Sequence, residues 1–67
     1  MSRHNLAPKP LSREEMDALA PGSHVIDGSY DISVKRADGW WEGHEMAPIP
    51  TSKLHKYGPI RRWTGVV

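Results

Sequence analysis

Tyr30-Asp31-Ile32-Ser33-Val34-Lys35-Arg36-Ala37-Asp38-Gly39-Trp40-Trp41-Glu42-Gly43-His44-Glu45-Met46 decides the fold of this chain. Its first six residues alternate, with Tyr30, Ile32 and Val34 on one face, which is the period of a half-buried strand. Ala37-Asp38-Gly39 breaks the alternation with a turn in which Gly39 can take a positive φ. Trp40 to Met46 then returns as the partner strand. Successive strand side chains point to opposite faces, so Trp40 and Trp41 cannot enter the same core. One anchors the core and the other lies on the opposite face, either covered by a helix or exposed. An exposed Trp on so small a domain is a candidate binding hot spot.

Working outward from the hairpin, the N-terminal side opens with a polar arm over residues 1–10 that contains Pro8 and Pro10. It reads as flexible chain. Ser12 and Glu15 then have the spacing of a capping box, with Leu11 and Met16 at the two positions of a hydrophobic staple. The predicted helix runs from about Arg13 to Leu19 and stops before Pro21-Gly22. Seven residues cannot hold a helix alone, so Met16 and Leu19 must pack on something. Ser23 to Asp27 is a short strand.

On the C-terminal side Pro48 and Pro50 end the pairing. Thr51 or Ser52 can cap a short turn of helix through Lys53–Tyr57, closed by Gly58-Pro59. Ile60 to Trp63 forms the last strand. The fold class is therefore mostly β, of the α+β kind: four to five short strands with one short N-terminal helix. Residues 11–67 make a single domain, and the binding module lies within 23–63.

Composition narrows the function. The 67 residues contain no cysteine, which leaves neither disulfides nor thiolate metal ligands to staple a small core. Three Trp and two Tyr, without Phe, supply the bulk instead. No stretch is apolar enough for a signal peptide or a membrane span, so the expected location is the cytoplasm. The four histidines, His4, His24, His44 and His55, match no ligand spacing, and no metal or other cofactor is expected. The serines and threonines lie in no nucleophile motif. Glu42 and Glu45 fall on opposite sides of a strand, a poor acid–base pair. No enzyme is expected.

The net charge of +1 hides an asymmetry. Residues 11–50 carry eight carboxylates against three cations, net −5, whereas residues 51–67 carry Lys53, Lys56, Arg61 and Arg62 and no acid. With Tyr57 and Trp63 this basic tail combines phosphate-binding charge with stacking surfaces, so nucleic-acid binding through residues 53–63 is the alternative function.

Two resemblances rest on these residues. Asp38-Gly39-Trp40-Trp41-Glu42-Gly43, preceded by Ile32-Ser33-Val34 and followed by Ile49-Pro50-Thr51-Ser52, resembles the Src-homology-3 family over about residues 28–54. It implies a small barrel in which Trp40 and Pro50 take two of the positions that line a proline-rich peptide groove. Lys53 stands where that groove has a Tyr, and the Ala-Leu-Tyr-Asp-Tyr opening of the family is missing. The expectation is thus the barrel architecture without polyproline binding.

The second resemblance spans more of the chain. Asp17-Ala18-Leu19, Gly22-Ser23, Val25, Asp27-Gly28, the Asp-Gly-Trp-Trp turn and Gly58-Pro59-Ile60 follow the order seen in small proteins of actinobacterial phages. It implies a phage origin and action in the host cytoplasm. The expected function is a protein-interaction module that binds or inhibits a host protein. Its candidate contact residues are Trp40, Trp41, Pro50, Lys53, Tyr57, Arg61, Arg62 and Trp63.

Overall fold

A computed structural model describes residues 9–63. Along the chain lie α1 (Arg13–Ala18), β1 (His24–Ile26), β2 (Ile32–Lys35), β3 (Trp41–Gly43), α2 (Thr51–Leu54) and β4 (Arg61–Trp63). The four strands form one open antiparallel sheet in the order β3-β2-β1-β4. The mostly β composition, the N-terminal helix and the strand positions agree with the sequence reading. α1 and each strand are a residue or more shorter than expected, α2 begins at Thr51 with Pro50 rather than Thr51 or Ser52 at its cap, and the expected arm over 1–10 falls outside the described residues apart from Lys9 and Pro10.

Local chemistry explains each element. Ser12 Oγ accepts from the Glu15 amide at 3.1 Å and the Glu15 carboxylate accepts from the Ser12 amide at 2.8 Å, so the capping box is complete. The β2–β3 turn closes through Arg36 N to Trp40 O at 2.8 Å, with Gly39 at φ +89°. A residue with a Cβ would be strained there. At the β1–β2 turn Asp27 Oδ1 accepts from the Ser29 and Asp31 amides. Tyr30 sits in the left-handed region of this turn at φ 65° rather than in the strand.

Met16, Val25, Trp41, Leu54 and Ile60 form the core, with Leu11, Leu19 and Ile49 packed around it. Both helices therefore cover one face of the sheet. Trp41 is fully buried and its indole Nε1 donates to Thr51 Oγ1 at 2.8 Å, which ties β3 to the start of α2. The sheet is prolonged at both edges. Trp41 and Ile49 exchange backbone bonds beside β3, and the Leu11 amide donates to Ile60 O next to β4.

The alternation of β2 has an unexpected sense. Ile32 and Val34 do share a face, but it is the one the helices leave open; Ser33 and Lys35 face the core. Lys35 is only 7% exposed. Its ammonium donates to the carbonyls of Met16 at 3.0 Å and Asp17 at 2.7 Å; Met16 O also accepts from the Leu19 amide at 3.2 Å, so Asp17 O is the carbonyl that the end of α1 would otherwise leave bare. Its charge also suits the negative end of the helix and lies 5.7 Å from the centre of the Trp41 ring. A lysine can be buried here because two carbonyls and the face of an indole receive its charge.

Candidate functional site

The two hairpin tryptophans separate, one in β3 and the other in the turn just before it. With Trp41 locked in the core, its neighbour Trp40 emerges at the edge of the domain, 46% exposed. The Trp40 amide donates to Asp38 Oδ1 at 2.9 Å, so the turn that forms the hairpin also fixes the base of this side chain. An Arg36–Asp38 ion pair of 3.1 Å lies across the same turn.

Trp40 borders an open cleft of about 360 Å³. One wall is the outer surface of α1, through Arg13 and Asp17; the other is Pro50-Thr51-Ser52 at the start of α2; the turn residues Asp38 and Gly39 close the end. An indole, a proline ring, one guanidinium and two carboxylates thus meet in one concavity. Such a mixture suits a polypeptide segment, which offers apolar side chains together with backbone and charged groups. A second open cleft of about 440 Å³ adjoins it along α1, bounded by Ser12, Arg13, Glu14, Asp17 and His55. Arg13 and Asp17 line both.

Of the residues singled out from sequence, Trp40 and Pro50 converge on the cleft. Trp41 does not: it is interior. Lys53 is exposed on α2 and Tyr57, 57% exposed, lies in the turn beyond it. Arg61 and Arg62 point to opposite sides of β4, paired with Ile26 and Val25 respectively, and Trp63 shares the Arg61 side. The basic and aromatic tail therefore forms no single stripe. Arg13 and Asp17 were missed by the sequence reading, although their i, i+4 spacing on a helix places them on one face.

Among the described residues no group of three or more His, Asp or Glu side chains could hold a metal ion. His44 meets Glu45 at 3.5 Å, with both side chains almost wholly in solvent. No described helix is long and apolar enough to cross a membrane. Comparison with protein-family models, curated proteins and solved structures finds no match.

Proposed function

We propose that this chain is a non-enzymatic protein-interaction module that grips a segment of its partner in the Trp40–Pro50 cleft. The observation that carries this reading is the half-exposed Trp40, held at its backbone by Asp38 and set among Arg13, Asp17 and Pro50. A large, stiff side chain at the wall of a concavity provides contact area at little entropic cost, the usual character of a hot spot. The architecture we infer is a Src-homology-3-like small barrel, supported by the hairpin signature and by the extra pairing at both sheet edges. The partner we infer is a host protein met in the cytoplasm of a phage-infected cell; the order of motifs supports this.

Affinity capture from a host lysate tests the reading, followed by titration of the purified partner. Trp40→Ala is expected to weaken binding by tenfold or more, as truncation of a hot-spot Trp does, on the order of 2 kcal/mol. A partner whose affinity is indifferent to Trp40→Ala, Pro50→Ala and Arg13→Ala would refute it. Nucleic-acid binding has weaker support, since Arg61 and Arg62 diverge. It would require binding to short DNA that falls steeply with salt and is lost in Arg61→Ala/Arg62→Ala.

A further inference from the structure

Three charged side chains line the Trp40 cleft, and one of them, Asp38, is taken up by the fold. Its Oδ2 pairs with Arg36 at 3.1 Å and its Oδ1 accepts from the Trp40 amide at 2.9 Å. Arg13 and Asp17 remain, the two side chains common to this cleft and the one adjoining it. Neither belongs to an ion pair among the described residues, although they stand four apart on one helix.

Their order opposes the helix that carries them. Arg13 is the first residue of α1, beside its positive pole, and Asp17 lies in the last turn, beside the negative one. The stabilising order for such a pair is acid first, base second. Other groups already serve the two ends: the Ser12–Glu15 box at one and Lys35 at the other. Charges placed against the local rule, without a gain to the fold, are the mark of a functional surface.

Four residues along α1 rise about 6 Å. In an extended chain, residues two apart share a face and lie about 7 Å from each other. An extended segment lying along α1 can therefore set alternate side chains against Arg13 and Asp17. We infer that the occupant of the cleft is an extended polypeptide segment carrying a base and an acid two residues apart, the base against Asp17 and the acid against Arg13. This rests on the reading of the cleft as the partner's site and adds the charge pattern of what enters it. Trp40 and Pro50 take apolar contact from the same segment. The charge pair is neutral on both sides, so recognition depends on the order of the charges and not on their sum. Glu14 and His55 border the adjoining cleft alone and lie outside this pairing.

Selection of a random peptide display library on the immobilised full chain, with Trp40→Ala as counter-target, tests it. The expected sequences hold Lys or Arg and Asp or Glu two residues apart. A synthetic peptide of that kind is then titrated against the parent and its variants. Asp17→Asn, and replacement of the peptide's base by norleucine, should each weaken binding about fivefold, the upper end for a partly exposed ion pair. Made together they should cost little more than either alone, because both remove one interaction. Arg13→Gln and conversion of the peptide's acid to its amide form a second such cycle. Circular dichroism of each variant establishes that it is folded. Peptides that need Trp40 but hold no charge pair overturn the inference and leave the cleft as the partner's site, as do cycles whose losses simply multiply. A selection in which no peptide distinguishes the parent from Trp40→Ala overturns both.

Discussion

Trp40 and Trp41 are adjacent, chemically identical and put to different uses. Trp41 fills the centre of the core and spends its one polar group on Thr51, whereas Trp40 keeps nearly half its surface in water. Truncating a buried Trp costs about 3–5 kcal/mol, comparable to the whole stability of a domain of this size. Trp41→Ala is therefore expected to be unfolded or nearly so. Trp41→Phe retains most of the volume but strands the Thr51 hydroxyl, and should lose about 1–3 kcal/mol. Trp40→Ala should stay within about 1 kcal/mol of the parent. Urea unfolding followed by far-ultraviolet circular dichroism separates the three, and a Trp40→Ala loss as large as that of Trp41→Phe would show that Trp40 is a structural residue.

At the scale of elements, α1 is too short to persist alone and is held at both ends. The capping box serves its N-terminus, and a residue from another element, Lys35, serves its C-terminus. Lys35→Met keeps the stem that packs against Trp41 and removes only the charged donor. The Asp17 carbonyl is left unpaired and Met16 O keeps only the Leu19 amide, so a loss of about 2 kcal/mol is expected, with faster hydrogen exchange of the α1 amides. A variant as stable as the parent, with unchanged exchange, would mean that water serves those carbonyls equally well. The same residue marks the limit of what the sequence discloses. Ser12-x-x-Glu15, Asp38-Gly39 and the alternation of Ile32 to Lys35 are local patterns, and each lies where it was read. The side of β2 that meets the helices is a tertiary choice. Ile32 and Val34 look like core and Lys35 looks like surface, until the end of α1 offers its carbonyls to the lysine. The Trp40 cleft was half legible in the same sense: the hairpin and Pro50 announced two of its walls, but only the packing of α1 could bring Arg13 and Asp17 to it.

At the scale of the whole molecule, the sheet divides two surfaces. The cleft takes its walls from the helices on the covered side, while Ile26, Ile32, Val34 and Arg61 belong to the open side, and the two share no residue. Substitutions without common partners usually combine additively, within about 0.5 kcal/mol. Trp40→Ala is accordingly expected to lose the partner, whereas Ile32→Glu, on the opposite face of the sheet, is expected to bind it with an affinity within about twofold of the parent, a difference inside that additive tolerance. Calorimetric titration of the two variants against the same partner makes the comparison. If Ile32→Glu also weakened the partner tenfold, the segment gripped at Trp40 would have to reach around the sheet edge.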